Sequence, residues 1–374
     1  MQYRAEIDGL RAVAVIPVVL FHAGIAGFGG GFVGVDIFFV ISGYLITSII
    51  LNEQAKDSFT LAGFYERRAR RILPALMLVM LLSIIGAWQL LLPEELVDYG
   101  QSLAAVGLFA SNFLFWMQSD YFAQTSEYLP LLHTWSLAVE EQFYLVFPLF
   151  MIWSIAWFKA KRLAVLVLVG IASLLFSEWA WRNAPEANFF LIPSRAWELM
   201  AGVFCAFYLQ HSQLNNATFK QVGSGAGLLM LLYSITIFDK TIPFPSLYAL
   251  VPVLGTALII LCADKHTLVG KLLSFPLLVG IGLISYSAYL WHQPVFVYAR
   301  LNDMQALPVT TLLGLSVLSF VLAYLSWRWV EKPFRNRNFL SRAQVLWIAF
   351  GCSVLLIAIG GVLVLGEGFS ARFA

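Results

Sequence analysis

Apolar windows of about 18 to 25 residues, each long enough to cross a bilayer as an α-helix, recur from one end of this sequence to the other. They lie near residues 10–27, 31–51, 72–92, 135–157, 163–179, 196–210, 222–238, 246–262, 272–298, 308–329 and 344–366. With 60% hydrophobic and 12% charged residues over 374 positions, and a mean hydropathy of +0.81, the composition is that of a membrane protein. The expected fold class is all-α: a polytopic membrane helical bundle with eleven crossings.

A twelfth stretch, residues 98–117, is more polar and is expected to form an amphipathic or re-entrant segment on one face. The basic residues support leaving it out of the count. With a cytoplasmic N-terminus and eleven crossings, 18 of the 23 Lys and Arg fall on the inner side, in Arg4, Arg11, KDSFTLAGFYERRARR, KAKR, Lys220, DKHTLVGK and WRWVEKPFRNRNFLSR. Only Arg182, Arg195, Lys240, Arg300 and Arg372 fall outside, the asymmetry expected of a positive-inside chain. A crossing at 98–117 would move KAKR and VEKPFRNR to the other side. The C-terminal GEGFSARFA is then on the outer side, and residues 93–134 form the longest outward excursion, expected to be an ordered outer cap.

The formal net charge of +2 lacks the basic excess of a nucleic-acid binder. Cys205, Cys262 and Cys352 have no paired spacing, so no disulfide framework and no metal site is expected. The charged start MQYRAEIDGLR precedes an apolar run without a clear cleavage site, which reads as a retained span rather than a leader.

Ionisable side chains inside such windows need a partner or a function, since each costs at least about 2.5 to 3.5 kcal/mol at a helix centre. RAVAVIPVVLFH carries Arg11 and His22 eleven residues apart, about three turns and ~16 Å along one helical face, with Pro17 between them expected to kink the helix. Arg11 reads as an inner anchor or a ligand, and His22 as a satisfied core histidine or a reactive group. In GGFVGVDIFFVISGYLI, Gly30, Gly31 and Gly34 permit close backbone approach, while Asp36 and Ser42 are polar groups among Phe and Ile. Asp36 is expected either to pair with a cation on a neighbouring helix or to bind a ligand.

FYERRARRILPA sets Arg67 with Arg70, and Arg68 with Arg71, at i, i+3 on a helical face, spaced to hold phosphate oxygens or lipid headgroups. HTWSLAVEEQFYLVFP gathers His133, Ser136, Glu140, Glu141, Gln142 and Tyr144 within about three turns. Ser136, Glu140 and Tyr144 share one face, and because adjacent carboxylates cannot, at most one of them points at any common site. In SRAWELMAG, Arg195 and Glu198 have salt-bridge spacing; in SYSAYLWHQPVF, Ser285, Tyr286, Tyr289, Trp291 and His292 fit an interfacial aromatic belt.

Taken in order, Arg11 with ten residues before His22, GGFVGVDIFFVISGYLI, FYERRARRILPA, HTWSLAVEEQFYLVFP, SRAWELMAG, ISYSAYLWHQP and WVEKPFR resemble the acyltransferase-3 family, especially bacterial O-antigen and polysaccharide O-acetyltransferases. The resemblance implies a ten-helix acyltransferase domain over 1–335, with 336–374 adding an eleventh transmembrane helix and a short tail. It implies transfer of an acetyl group from cytoplasmic acetyl-CoA to a sugar hydroxyl on the periplasmic side of the inner membrane, with no permanently bound cofactor. His22 would handle the acetyl group, Arg11 would orient the donor, Arg67, Arg68, Arg70 and Arg71 would hold CoA phosphates, and Glu140 or Glu141 would serve the acceptor side. Asp36, Ser42, His133, Trp135, Ser136, Arg195, Glu198 and His292 would be acceptor-side or structural polar residues.

Several members of the family continue from the eleventh helix into a periplasmic SGNH-type domain. For a chain ending at Ala374 the expectation is therefore truncation, or reliance on a separate SGNH-type partner. Two other classes compete: a transporter of acyl groups or lipid-linked sugars, which would need intramembrane Arg, His and Glu, and a structural subunit whose polar residues are helix glue. No inverted repeat supports the first, and an arginine cluster with paired carboxylates and an embedded histidine exceeds what glue requires.

Overall fold

A computed structural model describes residues 3–118, 127–157, 161–212, 214–302 and 307–373. The chain is 84% helical, with no strand among the described residues. In chain order the helices are α1 (Ala5–His22), α2 (Gly34–Gln54), α3 (Leu61–Leu90), α4 (Pro93–Gly107), α5 (Ser111–Gln118), α6 (Thr134–Trp157), α7 (Arg162–Asn183) and α8 (Pro185–Phe190). They continue as α9 (Ile192–His211), α10 (Ala217–Ile237), α11 (Leu250–Cys262), α12 (Leu268–Leu273), α13 (Pro276–Asn302), α14 (Val309–Ser326), α15 (Lys332–Arg335) and α16 (Arg342–Leu365).

Each of the eleven apolar windows is helical over most of its length. Among the described residues, six helical segments are long and apolar enough in themselves to cross a membrane, Gly31–Gln54, Leu61–Leu90, Arg162–Asn183, Pro185–His211, Val309–Arg335 and Arg342–Leu365, and Leu247–Cys262 is a shorter apolar one. The chain reads as a multi-pass membrane protein. The first helix stops at His22, five residues before its window ends, because the following AGIAGFGGG places Gly24 and Gly27 at φ of 68° and 85°, where a helix cannot continue. Within α1 the helix runs unbroken through Pro17.

The third helix starts at Leu61 rather than near 72, with Thr60 capping it by accepting from the Gly63 amide, so the whole arginine run lies on a helix. Residues 98–117 do not make one helix. α4 ends at Gly107, Phe109 turns through φ 52°, and α5 begins at Ser111; at about 1.5 Å per residue neither piece spans the ~30 Å hydrocarbon core. Residues 119–126 of the outward excursion and 159–160 of KAKR lie outside the described residues.

The helices form two compact units, one from Met1–Phe59 and Gln142–Ser285, the other from Thr60–Glu141 and Tyr286–Ala374. The division cuts α6 after Glu141 and α13 after Ser285. In the first unit α2 and α9 touch backbone to backbone: a Cβ on Gly43 would lie 2.0 Å from the Leu199 carbonyl oxygen, and one on Gly202 would lie 1.9 Å from that of Val40. In the second unit α4 and α16 meet the same way, with Gly100 and Gly360 facing each other; a Cβ on Gly360 would lie 2.4 Å from the Gly100 carbonyl oxygen. Without a hydrophobic driving force in lipid, such close glycine contacts are a main source of helix adhesion.

Candidate functional site

In the first unit, α1 carries both Arg11 and His22. Gly31 and Gly34 lie against its backbone, where a Cβ would come within 2.1 Å of the Pro17 carbonyl oxygen and 2.3 Å of that of Ala14. Arg11 is buried and pairs with Asp8 at 3.4 Å, one turn back on the same helix; Asp8 also accepts from the Tyr3 hydroxyl at 2.7 Å. Its partner was legible as an i, i+3 acid but is absent from the sequence-derived candidates.

His22 is half-buried at the last turn of α1, edge-on to Phe21 with ring centroids 5.1 Å apart. Its Nδ1 lies 2.9 Å from the Val18 carbonyl oxygen. A carbonyl only accepts, so Nδ1 carries the proton and Nε2 is the basic nitrogen of the neutral ring. That tautomer suits a general base or a nucleophile.

Asp36, Arg195 and Glu198 form a single buried charge cluster. Arg195 donates to Asp36 at 3.0 Å and to Glu198 at 2.8 Å, and no member is more than 1% exposed. Phe39, Phe189 and Phe244 surround the guanidinium at 5.3 to 5.7 Å. Asp36 thus has its cation on a neighbouring helix, and the cluster ties α2 to α9 beside the Gly43 and Gly202 contacts. Ser42 accepts from the Tyr144 hydroxyl at 2.9 Å.

In the second unit, His133 and His292, 159 positions apart in the sequence, have ring centroids 5.4 Å apart. Tyr289 knits them together: its hydroxyl donates to the His133 carbonyl at 2.9 Å and lies 2.6 Å from the Ser136 hydroxyl, while its own carbonyl accepts from His292 Nδ1 at 2.6 Å. His133, Trp135, Ser136 and His292 are all buried, so His292 belongs to the helix interior rather than to an interfacial belt. Among the described residues no third metal-ligating side chain joins the pair.

The arginine run divides its work. Arg70 is buried, pairs with Glu66 at 3.0 Å and donates to the carbonyls of Phe334, Asn336 and Leu340; Glu66 in turn binds Arg342 at 3.0 Å. Arg70 therefore fastens α3 to the segment that leads into α16. Arg67 and Arg68 are half-buried, and Arg68 lies over the Phe64 ring at 5.8 Å. Arg71, also half-buried, donates no hydrogen bond among the described residues. Arg68 and Arg71 are the cations acting on Glu141, whereas Glu140 acts on it as a like charge.

Arg68 and Glu141 line one cavity of about 250 Å³. From α3 it takes Tyr65, Arg68, Ala69, Ile72 and Leu73, one helical face; from α16 it takes Leu346, Ala349, Phe350 and Ser353, again one face. Phe109, at the turn between α4 and α5, completes it. Glu141 Oε1 is buried and accepts no hydrogen bond among the described residues. The structure thus sets one of the two candidate carboxylates beside a candidate phosphate ligand. The candidates missed by sequence reasoning are Asp8, Glu66 and the fully buried Glu331, which accepts from Ser287 and pairs with Arg335 at 2.7 Å. All three had an i, i+3 or i, i+4 cation as a signal.

The sequence profile of the acyltransferase-3 family, described as an acyltransferase domain, matches residues 4–328. The peptidoglycan O-acetyltransferase OatA of Listeria monocytogenes is 32% identical over 360 residues, covering 91% of this chain and 57% of that protein. The O-acetyltransferase OatA of Staphylococcus aureus is 30% identical over 390 residues, covering 99% of this chain and 64% of that protein. The chain therefore spans about three fifths of the length of these curated relatives. No solved structure matches it. With the family profile running over most of the helical region and through every motif described above except WVEKPFR, the chain belongs to the acyltransferase-3 family.

Proposed function

We propose that the protein is an O-acetyltransferase that takes an acetyl group from acetyl-CoA and delivers it to a glycan hydroxyl, with peptidoglycan rather than O-antigen the favoured acceptor. Family membership supports the acyl transfer, and the relative whose name states an acceptor acts on peptidoglycan. The observation that carries the chemistry is the 2.9 Å approach of His22 Nδ1 to the Val18 carbonyl: in a neutral ring this makes Nδ1 the donor and assigns the lone pair that an acyl transfer needs to Nε2.

That nitrogen has two uses. As a base it removes the proton of the acceptor hydroxyl while the hydroxyl oxygen attacks the thioester carbonyl and CoA leaves as thiolate. As a nucleophile it attacks the carbonyl itself, expelling CoA thiolate and forming acetyl-His22, from which the acceptor oxygen later takes the acetyl group. Arg68 and Arg71 are read as cations for the donor's phosphates, and Arg11 as an orienting group on α1. The distribution of Lys and Arg supports a cytoplasmic-membrane location with the N-terminus inside, so that donor and acceptor meet the protein from opposite sides. The longer relatives are the reason to expect a further SGNH-type domain or partner.

The test supplies radiolabelled acetyl-CoA to the purified chain in nanodiscs, with and without peptidoglycan fragments. CoA release that depends on acceptor and disappears in His22→Ala supports the reading; flux of acyl groups or lipid-linked sugars without CoA release overturns it. Label retained on His22 in the absence of acceptor selects the covalent route, and its absence in a competent enzyme selects direct transfer.

A further inference from the structure

We propose that α16, which lies beyond the matched family region, is a wall of the donor site: the cavity it closes with α3 takes the thin arm of the acyl thioester, and Ala349 and Ser353 set its bore. The proposal rests on the acetyl-CoA reading above. At about 250 Å³ the cavity falls below the roughly 300 to 1,000 Å³ of sites that enclose a whole drug-sized ligand, so it suits a narrow chain and not a nucleotide. Its walls are largely apolar, with one cation, Arg68, and one buried carboxylate oxygen, Glu141 Oε1, that accepts no hydrogen bond among the described residues. A buried acceptor left in that state is costly, a cost that a ligand N–H or O–H would relieve. A pantetheine arm offers amide N–H groups and a hydroxyl along a slender chain and leads to phosphates, the complement of one acceptor and one cation in an apolar slot.

A lone anchor helix would not hold such a wall in place, but α16 is fixed along its length. At its start Ser341 caps it reciprocally with Gln344, and Arg342 binds Glu66. In its middle Gly107 of α4 abuts the Ser353 carbonyl, where a Cβ would lie 2.9 Å away, and Gly100 meets Gly360. Beyond its end Arg372 donates to the carbonyls of Trp88 and Leu91 on α3 and just after it. Because the side chains of Leu346 and Phe350 remain partly exposed, an anionic phospholipid is the other source of a phosphate for Arg68.

The test uses the full chain in nanodiscs with Cys352→Ser, adding Ala349→Cys, Ser353→Cys or, as a control on the exposed face of α16, Val354→Cys. Alkylation by N-ethylmaleimide is timed with and without S-ethyl-CoA, a thioether that cannot transfer its acyl-like group. The expected result is at least tenfold slower alkylation at 349 and 353 with no change at 354, in neutral and anionic lipid alike. Binding of radiolabelled S-ethyl-CoA without protection at either position overturns the proposal while leaving the donor reading intact; protection by phosphatidylglycerol alone makes the cavity a lipid site and also overturns it. No binding of S-ethyl-CoA or acetyl-CoA to the unsubstituted chain sinks both. As a second variant, Ala349→Leu is expected to raise the KM for acetyl-CoA at least tenfold with kcat within about threefold, and an unchanged KM counts against the bore.

Discussion

Arg195 is the residue whose removal should be felt most in the fold. It is 1% exposed and supplies the positive charge for both Asp36 and Glu198, each buried and within 3.0 Å of its Nη1. Arg195→Ala leaves two carboxyl groups with no cation between them, in a pocket walled by Phe39, Phe189 and Phe244. Breaking a buried pair by removing one partner costs about 3 to 5 kcal/mol, and this cluster contains two such pairs, so the upper part of that range is the expectation. That is about three to four orders of magnitude in the folded-to-unfolded ratio, at about 1.4 kcal/mol per factor of ten. Arg195→Lys keeps the charge but not the planar fork and should fall between wild type and Ala. The triple variant Asp36→Val, Arg195→Met, Glu198→Leu removes every charge together and should lie within about 1 to 2 kcal/mol of wild type, since apolar replacement of a whole buried cluster avoids the desolvation cost. Unfolding in mixed micelles followed by the fluorescence of the 12 tryptophans measures all three. An Arg195→Ala variant within about 0.5 kcal/mol of wild type would refute the reasoning, as would a triple variant no better than the single one.

Gly202→Ala forces a methyl group against the Val40 carbonyl and should lower stability by about 1 to 3 kcal/mol, read as a lower melting temperature, whereas Gly225→Ala, with open space at its Cβ, should not. Arg70→Ala should destabilise the chain by loosening the 334–340 segment, while Arg71→Ala should melt like wild type and instead raise the KM for acetyl-CoA about tenfold; a KM unchanged in Arg71→Ala removes that residue from the donor site. Asp264, in the loop after α11, is opposed by partial burial, but the Lys220 ammonium at 2.9 Å and the amides of His266 and Thr267 outweigh it and hold its carboxyl below the usual range. A depressed folded value gives stability that is present above the unfolded value and is lost as pH falls through the folded one, so wild type should lose more stability than Asp264→Asn between about pH 5 and pH 3. Equal acid slopes for the two would contradict that pairing.

The helices were legible because a lipid-exposed or buried span must be largely apolar, and every window of that kind is helical over most of its length. Local charge partners were legible too, in principle: Asp8 with Arg11, Glu66 with Arg70, Glu331 with Arg335 and Glu198 with Arg195 all sit one turn apart. Non-local partners were not. Nothing in HTWSLAVEEQFY or SYSAYLWHQPVF says that His133 meets His292 through Tyr289, because packing between distant helices is set by which faces their small residues allow to approach. For the same reason Arg68, Arg70 and Arg71 look equivalent as a string and differ in the fold: the helical phase gives Arg70 to the 334–340 carbonyls and turns Arg68 to the cavity.

That difference in phase also bears on how much of a membrane enzyme's site a sequence motif can contain. Along α16 the residues facing the cavity, Leu346, Ala349, Phe350 and Ser353, carry no charge and no signature, so they read as an anchor. Yet a cavity in lipid needs a wall wherever a ligand would otherwise touch acyl chains, and a wall requires only the right size of side chain at i, i+3, i+4 and i+7 on a helix held close by its neighbours. The close contacts at Gly100, Gly107 and Gly360 supply that hold. The chemistry of such a site is written in a few costly ionisable residues, whereas its shape is written in uncharged ones that cost little and leave no motif. Volume-changing substitutions at Ala349 and Ser353 are therefore more informative about the donor's path than further charge removal along FYERRARR, where fold and binding are entangled in one helix.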